Sequence, residues 1–208
     1  ENLQDIDILN ATLLMSTTFE CFARVSKELV TDAIRSVAYD NRVNPQLDYF
    51  TSLVWDETPR LDAWLHTVFG TPLDELHSAM GSNWIKGLVK RVLEPGYRFD
   101  EVLVLEGKQG MRKSTAMRVL GQPWHTECTL STEDKDFYML LACNVVVEFS
   151  EGEIVGRTSA QRLKAVISKT EDVYRPPYEH GMMKFKRSCV FAMTTNNSDY
   201  QKDDTGGR

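Results

Sequence analysis

Ten residues between an apolar run and a helix-like stretch carry the most specific chemical pattern in this sequence. The segment starts at Glu106, follows the apolar residues 102–105 and precedes residues 116–120. Strand, glycine-bearing loop, Lys-Ser and helix, in that order, are what a P-loop requires. Backbone N–H groups of such a loop and the positive end of its helix bind phosphate. The predicted cofactor-binding residues are Gly107, Gln109, Gly110, Met111, Arg112, Lys113, Ser114 and Thr115.

The predicted cofactors are ATP and Mg²⁺, with Lys113 at the outer phosphates and Ser114 as a metal ligand. One position departs from the pattern G-x-x-x-x-G-K-[ST], because Arg112 stands where glycine is usual. An Arg112 side chain directed to solvent or to a phosphate would be tolerated, whereas one filling the phosphate cradle would impair the site. We expect tolerance, because the acids and Asn196 downstream are the residue types that a working site needs. A chance glycine turn before a helix is the alternative.

A second apolar run, residues 144–149, ends in acids about 30 residues after the loop. Ligands bind at the carboxyl ends of parallel strands, which is where a metal-binding acid must lie. Glu148 is therefore predicted to hold the water shell of Mg²⁺, and Glu151 to polarise the attacking water. The reverse assignment is open, as is a strand that simply ends in solvated acids.

A third apolar run starts at Cys189 and ends in Thr194, Thr195 and Asn196. An amide or hydroxyl at this place can orient water near the γ-phosphate, and Asn196 is the first candidate for this sensor role. The same residue types also form helix caps and Asx turns.

Basic and aromatic residues alternate around a predicted hairpin whose tip is formed by residues 179–181. Such interleaving suits a loop that follows single-stranded nucleic acid. From the residues alone, an ordinary solvated hairpin is the better interpretation. The candidate nucleic-acid contacts are Tyr178, His180, Lys184, Lys186 and Arg187. After a glycine-rich turn, Arg208 is a candidate catalytic residue that acts on a neighbouring subunit's γ-phosphate, or it belongs to a terminus without this role.

Composition places the chain among ordinary globular proteins. It has 208 residues, 42% hydrophobic and 26% charged, with a net charge of −6. The acidic balance does not point to nucleic acid, although a local basic loop would suffice for binding. No apolar run reaches the roughly 18 residues of a membrane span, the start does not resemble a signal peptide, and the four widely spaced cysteines do not suggest zinc. The expected localisation is cytoplasmic, with no membrane contact.

The chemistry is carried by a region of alternating strands and helices that follows a mainly helical one. Residues 1–97 form the predicted helical N-terminal region and residues 98–208 the predicted P-loop ATPase domain. In the first region, a helix over 60–69 is expected to be capped by Thr58 and to end at Gly70, followed by helices over 73–79 and 83–93. Trp55, Trp64 and Trp84 are predicted to lie in the core.

In the second region, continuous apolar runs predict parallel strands that are covered on both faces. They lie at 101–105, 144–149 and 188–194, with helices expected at 113–120, 132–141 and 159–168.

In this order, the motifs resemble the virulence-associated E (VapE) family of phage and mobile-element proteins. That family comprises P-loop ATPases related to superfamily 3 helicases and phage primase-helicases. The resemblance covers about residues 49–208, and residues 1–48 carry no such marks. Its marks are Leu53-Val54-Trp55-Asp56, Pro59-Arg60-Leu61-Asp62, Arg91-Val92-Leu93-Glu94-Pro95-Gly96, Lys113-Ser114-Thr115, Glu148, Glu151, Asp172-Val173-Tyr174-Arg175-Pro176-Pro177-Tyr178, Thr194-Thr195-Asn196 and Asp204-Thr205-Gly206-Gly207-Arg208.

The resemblance implies an ASCE-type (AAA+-like) α/β core with a parallel sheet, in which the P-loop strand is central and the sensor strand lies between it and the strand of Glu148. It also implies a homo-oligomeric ring and a hairpin that grips single-stranded DNA. Because the family pattern continues beyond Arg208, the ATPase domain is expected to be incomplete at its C-terminus.

Two classes of function remain open. The favoured prediction is an ATP-dependent, DNA-acting ATPase, helicase-like or a replication initiator, of a phage or mobile genetic element. The alternative is a nucleotide-binding or degenerate P-loop module that acts by binding a replication or host partner protein. A small-molecule kinase has little support, since no acceptor pocket is recognisable.

Overall fold

The computed structural model of the chain describes residues 4–18, 26–128, 135–149, 157–177 and 181–196. Its helices are α1 (Asp5–Thr18), α2 (Lys27–Asp40), α3 (Pro45–Ser52), α4 (Trp64–Phe69), α5 (Glu75–Leu93), α6 (Lys113–Gly121), α7 (Lys135–Cys143) and α8 (Arg157–Ile167). Its strands are β1 (Val102–Glu106), β2 (His125–Cys128), β3 (Val146–Phe149), β4 (Glu171–Tyr174), β5 (Met183–Lys186) and β6 (Val190–Thr195). No described helix is both long and apolar enough to cross a lipid bilayer.

The chain forms two compact units, Glu1–Pro45 and Gln46–Arg208. The first unit contains α1 and α2. The α2 helix begins after Ser26, whose hydroxyl accepts a hydrogen bond from the Leu29 amide at 3.2 Å, as an N-cap residue does. The change of sequence pattern near Arg98 falls inside the second unit, because α5 packs on the sheet that follows it.

The second unit is built on a four-stranded parallel sheet of order β1-β6-β3-β2. Every residue of β3 and β6 is buried, which explains why both strands are mainly apolar, with Glu148, Thr194 and Thr195 toward their carboxyl ends. The predicted position of the sensor strand β6 between β1 and β3 is confirmed. Among the described strands, however, β1 lies at one side of the sheet and not in its centre, so that part of the expectation is not met.

Core clusters are built from apolar side chains of the sheet and its helices. One cluster joins α5 and α6 to the sheet, and its Trp84, 1% exposed, donates its indole N–H to the Phe191 carbonyl at 2.9 Å. The other packs α7 and α8 against Phe149 and Phe191, whose rings are stacked 5.4 Å apart. The sheet is thereby held in place, with the carboxyl ends of its strands available to form a site.

Two predictions for the helices before the sheet were wrong. The helix expected from residue 60 begins at Trp64, because Asp56 accepts a hydrogen bond from the Thr58 amide and pairs with both Nη atoms of Arg60 at 2.8 Å. The local bonds of that carboxylate hold a turn where a helix start was expected.

The helices expected over 73–79 and 83–93 are one helix, α5. The helix continues through Gly81, which lies close to Trp64. A Cβ at position 81 would be 2.6 Å from Trp64 Nε1, so glycine permits this close packing. Trp84 is buried and Trp64 packs partly buried against the core, as predicted. Trp55 is 69% exposed, so its prediction as a core residue was wrong.

Candidate functional site

The predicted phosphate-binding loop has the backbone arrangement that its sequence indicates. Strand β1 ends at Glu106, the loop spans residues 107–112, and α6 begins at Lys113. Gly110 has φ of 85°, a left-handed conformation that favours glycine. An open cleft of about 400 Å³ is lined by the loop from Gln109 to Thr115, together with Thr194 and Asn196.

Arg112 occupies the N-cap position of α6 in the left-handed conformation, with φ of 59° and ψ of 28°. Its side chain is exposed and does not cap the helix. The chain therefore keeps a backbone geometry that suits glycine, while the long side chain extends into solvent at the rim of the cleft. A left-handed residue other than glycine costs roughly 1–2 kcal/mol.

The Arg112→Gly variant is expected to be more stable than the wild type by about 1 kcal/mol, because relief of the left-handed conformation exceeds the entropy cost of glycine. Urea unfolding measures this difference. Nucleotide affinity should change by less than about threefold, since the side chain lies outside the cradle. Met111→Gly is the matched control, because Met111 has no left-handed conformation to relieve. A large gain in affinity for Arg112→Gly would show instead that arginine impairs the native loop.

The Lys113 ammonium lies at the centre of a set of oxygen acceptors from two elements. Its Nζ donates to the carbonyls of Gly107 and Lys108 at 2.6 and 3.1 Å, and to Asn196 Oδ1 at 2.8 Å. Asn196 follows β6, so this contact joins the predicted P-loop lysine to the predicted sensor. The Gly107 amide also donates to the Thr195 carbonyl at 3.2 Å, which holds the loop beside β6.

A chain of side-chain hydrogen bonds runs from the start of α6 into the sheet. The Thr194 hydroxyl donates to Glu148 Oε1 at 2.7 Å, and it lies 3.4 Å from Ser114 Oγ. Because the single Thr194 proton is given to Glu148, Ser114 is the donor to Thr194. The lone pairs of the Ser114 oxygen then remain free for a metal ion, as its predicted role requires.

Glu148 is fully buried and both its carboxylate oxygens are engaged. Besides Thr194, it contacts His125 Nε2 through Oε2 at 3.1 Å, and the His125 side chain is 6% exposed. No sequence signal pointed to His125, a lone histidine on a short strand of mixed residues. Only the pairing of β2 with β3 brings it to the acid.

The residues present fit a triphosphate with Mg²⁺. No side chain caps the start of α6, so backbone N–H groups of the first turn can receive an anion, and the lysine that phosphate would attract stands beside them. Ser114 supplies a hard oxygen donor of the kind that Mg²⁺ prefers, and the buried Glu148 supports it through Thr194. Among the described residues, no cluster of three or more His, Cys, Asp or Glu side chains forms a separate metal site.

Two of the predicted catalytic residues, Glu151 and Arg208, lie outside the described residues. The same holds for Tyr178 and His180 of the predicted nucleic-acid loop. The hairpin itself is confirmed, because β4 and β5 pair antiparallel with Tyr174 opposite Met183. Its roles in binding stay predictions.

The basic residues of the hairpin differ in how accessible they are. Lys184 and Lys186 are exposed, and Lys184 Nζ pairs with Glu171 at 3.1 Å. Arg187 is buried: it donates through Nε and Nη2 to both Asp172 oxygens and through Nη1 to the Val166 carbonyl. The prediction that Arg187 contacts nucleic acid was therefore wrong, since its charge is neutralised inside the fold.

Comparison with known proteins agrees with these features. The chain has a mixed α/β fold with a parallel four-stranded sheet, in which β6 separates the loop strand β1 from β3, the strand of Glu148. The family profile of the virulence-associated protein E-like domain matches residues 50–208. This chain belongs to that family. None of the curated proteins matches it in sequence.

Solved structures of the NrS-1 C-terminal region share the fold. The A-form apo structure has a TM-score of 0.52 at 18% identity over 74% of this chain. The apo structure of residues 305–718 has a TM-score of 0.50 at 17% identity over the same share. The chain spans 37% of the length of each of these two structures.

Proposed function

We propose that this chain is an ATP-dependent ATPase that acts on DNA in replication of a phage or mobile genetic element. The observation that carries the proposal is the hydrogen bond from Lys113 Nζ to Asn196 Oδ1 at 2.8 Å. It lies beside the predicted phosphate loop, just before α6, whose N-cap residue makes no side-chain cap bond. Two motifs separated by 83 residues thereby converge on one cleft. Membership of the VapE-like family supports the phage or mobile-element context, and the NrS-1 structures support the fold.

Each described side chain has a part in this proposal. Lys113 exchanges its loop carbonyls for the oxygens of the outer phosphates, and the first amides of α6 bind the same group. Ser114 would hold Mg²⁺ when it is bound, and Glu148 would support this role through Thr194. Mg²⁺, when bound, neutralises charge on the phosphates.

Asn196, which accepts from Lys113 at 2.8 Å, would orient water near the γ-phosphate. The burial of Glu148 and the engagement of both its oxygens favour Glu151 as the residue that polarises this water. Assembly into a homo-oligomeric ring, in which Arg208 acts on a neighbouring copy, follows from the family resemblance and belongs to the proposal. So does binding of single-stranded DNA by the exposed hairpin lysines Lys184 and Lys186.

A second candidate is a P-loop module that acts by binding a replication or host partner. It is favoured by three consecutive exposed apolar residues, Leu53, Val54 and Trp55, since contiguous exposed apolar surface marks interaction sites. They lie in the second unit, before α4.

Calorimetric titration with ATP and Mg²⁺, followed by turnover assays with and without single-stranded DNA, tests the proposal. We expect saturable binding and a turnover that rises severalfold with DNA. Absence of binding at millimolar nucleotide would contradict the ATPase proposal and leave the partner-binding candidate. Binding without turnover would support a nucleotide-binding module instead.

A further inference from the structure

His125 is a buried polar residue that the proposed function does not yet use. It contacts Glu148 Oε2, while Thr194 occupies Oε1, so the two oxygens of one carboxylate are divided between two partners. We assign His125 Nε2 as the donor in this bond, since a carboxylate oxygen is an acceptor. With Glu148 fully buried, loss of this donor would leave one carboxylate oxygen without its hydrogen bond.

The backbone fixes where His125 lies relative to Glu148. Strand β2 pairs parallel with β3, with His125 level with Val146 and Glu127 level with Glu148. The Trp124 carbonyl accepts from the amides of Val145 and Val146 at 2.8 and 3.2 Å. Those two bonds hold the backbone at the start of β2 against β3, immediately before His125. The position of the His125 backbone relative to Glu148 is therefore fixed.

Positioned carboxylates need such support because a side chain can rotate. If His125 releases Oε2, the carboxylate can turn about its terminal bond and no longer present Oε1 to Thr194. The connection from Glu148 through Thr194 to Ser114 would then be weakened. Partners bonded directly to a metal ligand typically change metal affinity 10–100-fold when they are lost. His125 lies beyond Glu148 and Thr194 in the chain of bonds to Ser114, so we expect an effect at the lower end of this range.

We infer that His125 is a positioning residue for the metal side of the nucleotide site. It holds Glu148 in the orientation that serves Ser114 through Thr194, without itself touching nucleotide or metal. The inference rests on the proposed function, because it assigns a role within the same site.

The test compares nucleotide affinity with Mg²⁺ and with EDTA, so that the metal-dependent gain in affinity is measured directly. His125→Phe removes the donor and keeps a ring, whereas His125→Gln keeps an N–H group. Thr126→Val is the matched control on the same strand, because the Thr126 hydroxyl donates to the neighbouring Glu127 carbonyl at 3.4 Å and, within the described part of the chain, is not bonded to Glu148. Thermal unfolding of each variant verifies that the fold is retained.

We expect His125→Phe to reduce the metal-dependent gain about 10-fold, while affinity in EDTA stays within about twofold. His125→Gln should recover most of the gain, and Thr126→Val should keep all of it. If the metal-dependent gain of His125→Phe is unchanged, or if its nucleotide affinity falls equally with Mg²⁺ and with EDTA, the inference is overturned. The proposed function would not be affected by either result. If His125→Phe does not fold, failure of His125→Gln to keep the gain overturns it. Absence of nucleotide binding by the wild type would overturn the proposed function and this inference together.

Discussion

Lys113→Ala is expected to weaken nucleotide binding by about 100-fold and to reduce ATP turnover to background. The ammonium makes three hydrogen bonds at the mouth of the loop, and hydrogen bonds to charged groups contribute about 1.5–3 kcal/mol each. Loss of about 2.7 kcal/mol of phosphate interaction corresponds to this factor of 100. Titration with ATP and Mg²⁺ measures the change.

Lys108→Ala is the matched control for that variant. It removes the same charge from the same loop, but Lys108 contacts the site through its backbone carbonyl, which alanine retains. Its affinity should stay within about threefold of the wild type. Equal losses in the two variants would mean that general charge, and not the position of Lys113, attracts the nucleotide. An unchanged Lys113→Ala would refute the assignment of the site.

Arg187→Met is expected to destabilise the second unit by about 3–5 kcal/mol, because it leaves the buried Asp172 carboxylate without its partner. That is a large part of the roughly 5–15 kcal/mol that stabilises a typical domain. The double variant Arg187→Met with Asp172→Leu should recover most of the loss, since an apolar pair of similar volume can replace a buried ion pair. Urea unfolding monitored by Trp fluorescence measures both.

The neighbouring hairpin pair provides the contrast. Lys184 and Glu171 face solvent, so Lys184→Met should change stability by about 0–1 kcal/mol. A loss below about 1 kcal/mol in Arg187→Met would show that water reaches Asp172 and compensates its charge.

The features of the fold that could be predicted from the sequence are those that strong local sequence patterns determine. The strands with unbroken apolar runs, the glycine-bearing loop and the helix after Lys113 were predicted within a few residues, because these patterns depend on periods and turn residues along the chain. The cleft at the carboxyl ends of the strands followed from the parallel arrangement. The joining of Lys113 to Asn196 agrees with that expectation.

The predictions were wrong or incomplete where contacts between residues distant in sequence determine the structure. Arg187 sits among lysines and aromatic residues and reads as a surface residue, yet Asp172 and the Val166 carbonyl bury it. His125 was missed because β2 has a weak pattern and gains its meaning only from β3. The helices expected over 73–79 and 83–93 are one helix, whose Gly81 packs closely against Trp64, a residue distant in sequence. None of these contacts is indicated by a hydrophobic periodicity or by a motif in the sequence.

A buried thiol marks the start of strand β6. Burial raises the pKa of Cys189 to about 11, so it stays protonated and unreactive at neutral pH. Its carbonyl accepts from Arg91 Nη1 at 2.7 Å, two residues after the buried Arg187. This end of the strand is thus fixed by two enclosed arginines, next to the hairpin.

The other end of β6 reaches the loop, where Thr194, the Thr195 carbonyl and Asn196 contact Ser114, Gly107 and Lys113 in turn. Six residues of extended chain, about 20 Å, separate the two ends. Strand β6 therefore connects two parts of the second unit directly: the predicted phosphate loop lies at its carboxyl end and the base of the hairpin at its amino end.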